Sequence, residues 1–277
     1  ALYEAPTDGT VTTIKLEGDV TLEMLYAAEN FGTEKLEDNA EGDTFNRYKR
    51  GVHPTENDPD HWNPLVTGQT QEERVVYGAY YHMSAGDERI ARLVVKAGQS
   101  IVLDLNGHTI QKKAGATHGD WSVTCTDILG NYGTLTITDT SNGEKGTIKG
   151  LGYTTCQGAV LHNYKGAVMN VGAINVDGNA AGMKAGTGQY VVYNEGGNLS
   201  INGANIFDTA TSASLLVNTA GAMSVKNAQL YHPATKAINA KDGTVTIGEN
   251  VEITSDASAI FATGSAVVTL NVAPSIK

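Results

Sequence analysis

The feature that most constrains this chain is a pattern that returns. "IVLDLNGHTI", Ile101 to Ile110, alternates apolar and polar residues, breaks at Asn106-Gly107 and resumes with Thr-Ile. Read alone, it is a hairpin around an Asn-Gly turn. Yet the apolar–polar–apolar triplet recurs at Leu103-Asp104-Leu105, Leu135-Thr136-Ile137, Met169-Asn170-Val171, Leu199-Ser200-Ile201, Met223-Ser224-Val225, Val245-Thr246-Ile247 and Val268-Thr269-Leu270. The spacings are 32, 34, 30, 24, 22 and 23 residues. A second apolar position follows at Ile110, Val176, Ile206, Leu230, Ile253 and Ile276, delayed to Ile148 in the second copy by the insert "DTSNGE". A third element precedes each triplet: "DILGN", "AVLHN", "VVYN", "LLVN", "AIN" and "AIF".

Each unit thus holds three short strands in roughly 22 to 24 residues when nothing is inserted. Hairpins do not give a threefold pattern; a coil whose strands each stack on their equivalent one turn later does. The Asn-Gly bend is then a corner of the coil. Asn163, Asn194, Asn218 and Asn239 each end a first strand, with Asn131 near the same place. A column of asparagines stacked inside a turn satisfies amides that would otherwise be buried unpaired, so a ladder of these side chains is expected.

"VLDLNGHTI", followed by "GTLTITDTSNGEKGTI", resembles the parallel β-helix repeats of the pectin-lyase-like superfamily. The likeness is closest to versions in surface and secreted proteins of Gram-positive gut bacteria. It covers residues 94–277, and "TIKLEGDVTLE" (Thr13 to Glu23) resembles the lead-in strand that precedes such repeats. The resemblance implies an all-β fold, a single-stranded right-handed parallel β-helix with three strands per rung and about seven or more rungs. Residues 1–92 are expected to form the lead-in strand plus an acidic inserted or capping segment packed on the coil, and residues 93–277 one continuous β-helix.

Charge sharpens this division. Residues 1–92 carry 18 Asp and Glu against 8 Lys and Arg, whereas residues 93–277 carry 12 against 11. Such a surface repels nucleic acid and anionic membrane. The apolar runs are only a few residues long, too short to span a bilayer, and "ALYEAPTDGT" has neither the basic start nor the apolar middle of a signal peptide. An extracellular location, secreted or surface-attached, follows from the resemblance. The chain stops at "TLNVAPSIK", directly after a full unit. A bare solenoid end exposes unpaired backbone and core, so either more chain or a partner is expected there.

Function in a solenoid tends to sit on what protrudes. Three long links leave one corner in the early units: "QKKAGATHGDWSVTCTD", "KGLGYTTCQG" and "DGNAAGMKAGTGQ". They are expected to stack as one lateral wall. Cys125 and Cys156 fall at equivalent places in it, close enough for a disulfide; two buried small hydrophobes are the other reading. Trp121 with His118 and Asp120, Trp62 with His61, and Tyr77, Tyr80, Tyr81 and Tyr153 have the chemistry of sugar recognition, rings for pyranose faces and polar groups for hydroxyls. Anchoring of the loops is the plainer role for the same rings. Asp58 and Asp60 in "NDPDHW" are weak calcium ligands without a full set, and no other cofactor is expected.

Catalytic signatures are sparse. Superfamily relatives that cleave pectate use calcium-binding aspartates and a basic residue, often arginine, on the coil. Every arginine here (Arg47, Arg50, Arg74, Arg89, Arg92) precedes it. Of the polygalacturonase-like motifs only Asn175-Val176-Asp177 is echoed. Asp104 reads as an outward strand residue equivalent to Thr136, Asn170 and Ser200. Asp120 with Asp177 is a conceivable acid pair, and His108 and His162 read as structural. The expectation is therefore an adhesin-like extracellular binding module for carbohydrate or a host surface protein; the alternative is a secreted glycoside hydrolase or polysaccharide lyase with its acids in the same loops.

Overall fold

The computed structural model describes residues 2–22, 24–26, 35–37, 47–48, 88–90, 93–112, 127–150, 159–178, 190–208, 214–233 and 236–277. The fold is all-β, and its strands stand in parallel columns. The first column holds Leu93–Val95, Leu129–Asn131, Ala159–Asn163, Ile238–Ala240 and Ile260–Ala262. The second holds Val11–Lys15, Ser100–Asp104, Thr134–Thr138, Val168–Val171, Thr244–Ile247 and Val267–Leu270. Two long strands, Tyr190–Asn202 and Ser214–Lys226, run through both columns and join them into one 13-stranded sheet. The third column is a separate 8-stranded sheet from Val20–Leu22 through Thr109–Lys112, Thr147–Lys149, Asn175–Asp177, Asn205–Phe207, Gln229–Tyr231 and Glu252–Thr254 to Ser275–Ile276.

The chain visits the columns in a fixed order and pairs each strand with its equivalent from the previous circuit. Ser100–Asp104 and Thr109–Lys112 flank Asn106-Gly107, yet they lie in different sheets. Asn106 (φ 49°) and Gly107 (φ 82°) both adopt the left-handed region that turns the chain this sharply. The Asn-Gly pair is a corner.

Alternation decides what is inside. Ile101, Leu135, Met169, Leu199, Met223 and Val245 form one inward row and Ile110, Ile148, Val176, Ile206, Leu230 and Ile253 another, all 3% exposed or less. Each such side chain contributes about 1.5–3 kcal/mol by leaving water. At the N-terminal end the short 3-10 turn Leu2–Glu4 helps to close an apolar cavity that Leu2, Leu16 and Leu93 line. Gln99 pins that turn: its Nε2 donates to the carbonyls of Leu2 (3.0 Å) and Ala5 (2.8 Å), while its Oε1 accepts from the Lys96 amide. Met24–Tyr26 pairs antiparallel with Glu88–Ile90, bringing together the two ends of the segment between residues 24 and 90.

Two expectations need correction. Leu103 is paired with Ile137, and Ile101 with Leu135, so the triplet aligned at Leu103-Asp104-Leu105 is two residues late. Asp104 is opposite Thr138 rather than Thr136, and it is 4% exposed. Its carboxylate accepts from the Asn106 amide (3.0 Å) and from the Thr140 amide (2.9 Å) and hydroxyl (2.5 Å). Burial pushes its pKa up, but the Thr140 and Asn106 bonds and Lys15 outweigh that and hold it below the ordinary value. Asp139 behaves alike: burial raises its pKa, and bonds from the Ser141 hydroxyl and the amides of Gly107, Gly146 and Ser141 more than offset it. The insert "DTSNGE" is thereby stitched to the Asn-Gly corner.

The second correction concerns the asparagines. Asn131 Nδ2 donates to Asn163 Oδ1 (2.9 Å), Asn163 Nδ2 to Asn194 Oδ1 (2.9 Å) and Asn194 Nδ2 to Asn218 Oδ1 (2.7 Å). Asn131 Oδ1 accepts from the Gly133 amide, and Asn218 Nδ2 ends the row on the carbonyl of Asp242 (2.7 Å). All four are fully buried. Asn239 is not a member: Ala240 is opposite Asn218, and Asn239 is opposite Val217 on the other face of the strand.

The ladder and the corner generate two tests. Asn194→Ala strips partners from Asn163, Asn218 and backbone carbonyls at once, and we expect a loss of about 2–4 kcal/mol in denaturant unfolding; Asn239→Ala should stay within about 1 kcal/mol. Because the pKa values of Asp104 and Asp139 are lowered on folding, their contribution is present above the ordinary carboxylate value of about 3.9 and is lost as pH falls through the folded values. Asp139→Asn should therefore lower the unfolding midpoint at pH 7 and flatten its fall as the pH drops below about 3.9.

Candidate functional site

The ladder dictates where a polar site can form. Since Asn131, Asn163 and Asn194 point inward, the residues on either side of each point outward. Those neighbours are Gly130 and Tyr132, His162 and Tyr164, then Tyr193 and Glu195. Parallel register sets Gly130 opposite His162 and His162 opposite Tyr193. With strands about 4.8 Å apart, rings in these columns come within contact distance.

The rings touch one another in a row, two contacts stacked and two tilted. Tyr132 lies on Tyr164 with centroids 3.9 Å apart, and Tyr164 on His162 at 3.6 Å. His162 then meets Tyr193 at 4.5 Å, and Tyr193 meets Tyr190 at 4.8 Å. Gly130 makes room for this: a Cβ there would come within 3.3 Å of the Tyr164 ring. Lys241 extends its ammonium to 5.7 Å from the Tyr190 ring centre.

Two carboxylates bracket the imidazole. Asp127, just ahead of Leu129–Asn131 and 5% exposed, accepts from the Ala159 amide (2.8 Å), from His162 Nδ1 (3.0 Å) and from the Tyr164 hydroxyl (2.9 Å). His162 Nε2 faces Glu195 Oε2 at 3.2 Å, and the Glu195 side chain is 45% exposed. A neutral imidazole has one donor and one acceptor, so two carboxylate partners call for the imidazolium. Burial alone pushes the His162 pKa down, but the charge and hydrogen bond of Asp127, joined by Glu195, hold it above the ordinary value. Burial also raises the Tyr193 phenol, against a lowering bond with Thr219, and Glu195 adds to the rise.

His162 and Tyr164 are buried within the row, and its accessible part is the half-buried rings of Tyr193 and Tyr190 beside the exposed Glu195 carboxylate. It suits a polyhydroxylated ligand, whose apolar face stacks on a ring while its hydroxyls donate to an acid. It is poorly disposed for glycoside hydrolysis, which needs two carboxyl groups on the substrate, because Asp127 is buried and spent on its own donors. No cluster of His, Cys, Asp or Glu suited to a metal exists among the described residues.

Trp121, His118, Asp120, Tyr153, Trp62, His61, Tyr77, Tyr80, Tyr81, the Cys125–Cys156 pair and the weak calcium ligands Asp58 and Asp60 all fall outside the described residues. Asp177 is on the third column, its carboxylate 3.8 Å from Lys149. His108 Nδ1 is 3.5 Å from Asp19 across the first corner. His162, expected to be structural, is the centre of the cluster, and Asp127, Tyr132, Tyr164, Tyr193 and Glu195 were not foreseen as a site. The legible signal was the flanks of the ladder residues, "GNYG", "HNYK" and "YNEG", which are aromatic, imidazole or acidic only in the early rungs.

Removing the Tyr164 hydroxyl (Tyr164→Phe) should cost about 1–2 kcal/mol of stability. Asp127→Ala, which strands a buried imidazolium, should cost about 3–5 kcal/mol, both measured by denaturant unfolding at pH 6. In a comparison with known proteins, no family model, no curated protein and no solved structure matches the chain.

Proposed function

We propose that this chain is an extracellular, adhesin-like binding module that engages carbohydrate on a host or other glycan-bearing surface. Its scaffold is read as a right-handed parallel β-helix of the pectin-lyase-like kind, from a surface or secreted protein of a Gram-positive bacterium. The observation that carries the binding reading is the row of touching rings from Tyr132 to Tyr190, with half-buried Tyr193 and Tyr190 at its open end and the accessible Glu195 carboxylate beside it. Stacking on rings supplies affinity for the apolar face of a sugar, and the carboxylate supplies direction. The net acidity of the chain argues against nucleic acid as the ligand.

The test is retention on an array of plant and mucin polysaccharides, with product analysis. We expect retention with no new reducing or unsaturated ends, and a loss of about tenfold or more, equivalent to about 1.4 kcal/mol, in Tyr193→Ala and Glu195→Ala. Chain cleavage would make the protein a carbohydrate-active enzyme instead. Loss of retention in Trp121→Ala alone, with Tyr193→Ala unaffected, would move the ligand to the loops.

A further inference from the structure

Glu195 is held, among the described residues, by His162, whose own bonding depends on a proton. Among the described residues, the charged and titratable groups that face His162 are Asp127 from the preceding rung, Tyr164 from its own corner, and Tyr193 and Glu195 from the following rung; Tyr132 lies on the far side of Tyr164. Asp127 cannot turn away, because the Ala159 amide and the Tyr164 hydroxyl fix both of its oxygens. Glu195 can, since its side chain is 45% exposed and its bond to His162 Nε2 is the longer of the two.

We infer that His162 is a proton-operated latch on Glu195: as an imidazolium it pins the carboxylate beside the tyrosine stack, and as a neutral imidazole it lets the carboxylate go. When the proton leaves, the buried Asp127 retains the Nδ1–H, which turns the Nε2 lone pair toward the Glu195 oxygen. Two acceptors then face each other at 3.2 Å, and only the solvent-side partner is free to move. The proton passes to water, and no bond other than N–H changes.

The direction follows from the two carboxylates. The folded pKa lies above the ordinary histidine value. The latch is therefore fully closed below about pH 6.5 and opens as pH rises through the folded value. Resting on the carbohydrate reading given above, a closed latch presents Glu195 already ordered, and a ligand that uses it pays less to bind. Retention should be strongest in mildly acidic conditions and weaken under alkaline ones.

The experiment is a pH titration of the whole chain by NMR, following the imidazole nitrogens of His162 and the carboxyl carbon of Glu195, without ligand. The latch predicts two protonated ring nitrogens at pH 6, a midpoint above that of an exposed histidine, and a Glu195 signal that moves with the His162 midpoint. In Glu195→Gln, an exposed and conservative change, the His162 midpoint should fall. A single neutral tautomer at pH 6, or a midpoint unmoved by Glu195→Gln, overturns the latch. Retention on a glycan found by the array, measured at pH 6 and pH 9, adds a second readout. We expect a several-fold drop at pH 9 in the native chain and a flat profile in Glu195→Gln; equal retention at both pH values in the native chain overturns its coupling to binding. If no glycan is retained at any pH, the binding reading fails, while the NMR titration still decides the latch.

Discussion

A buried side-chain amide has to be satisfied, and in the row from Asn131 to Asn218 each asparagine meets the next one rung away. Within the row Asn163 and Asn194 have both a donor and an acceptor on neighbouring asparagines, and the ends close on the Gly133 amide and the Asp242 carbonyl. A one-residue slip in any first-column strand would turn an asparagine outward and drive an outward residue into the core. The ladder therefore sets the register of the first column. The two strands that continue into the second column carry that register with them, and the third column follows through short corners. The apolar rows supply most of the driving force, but they are tolerant: Ile, Leu, Val and Met stack on one another in any order. The amides are not tolerant.

The same constraint builds the cluster. Asp127, His162 and Glu195 are separated along the chain by 35 and 33 residues, and only parallel register brings them together. The ladder fixes which residues flank it, and the strand spacing fixes how closely their rings approach. A histidine between two carboxylates is a costly thing to bury, and it is bearable here because each nitrogen has an ionised partner and the ring has a tyrosine on either side.

Much of this was legible in the sequence, and the failures have physical causes. The threefold repeat, the corner at Asn106-Gly107 and the markers of the third column are read directly from apolar spacing and turn chemistry. The first triplet was misplaced because apolar Val102 occupies the outward position opposite Thr136, so the true triplet Ile101-Val102-Leu103 shows no alternation while Leu103-Asp104-Leu105, two residues later, does. What separates them is Asp104 curling into the corner to bind Thr140, a contact 36 residues away. Asn239 was misassigned because "AIN" mimics the ending of earlier strands, while the chain reaches the ladder position one residue later, at Ala240. The cluster around His162 was not legible because its partners Asp127 and Glu195 come from two other rungs, and no local window contains them.

The amides in the ladder all hand their hydrogen in one direction, from each rung to the one after it. The row is a one-way circuit with a defined entrance at Gly133 and a defined exit at Asp242. Duplicating a rung in its middle would leave that circuit closed, provided the copy brings its own asparagine; splicing in a rung without one would open it in two places. The scaffold can thus lengthen by internal copying while its two terminal fittings remain unchanged, which makes the number of rungs a freely adjustable property of the architecture.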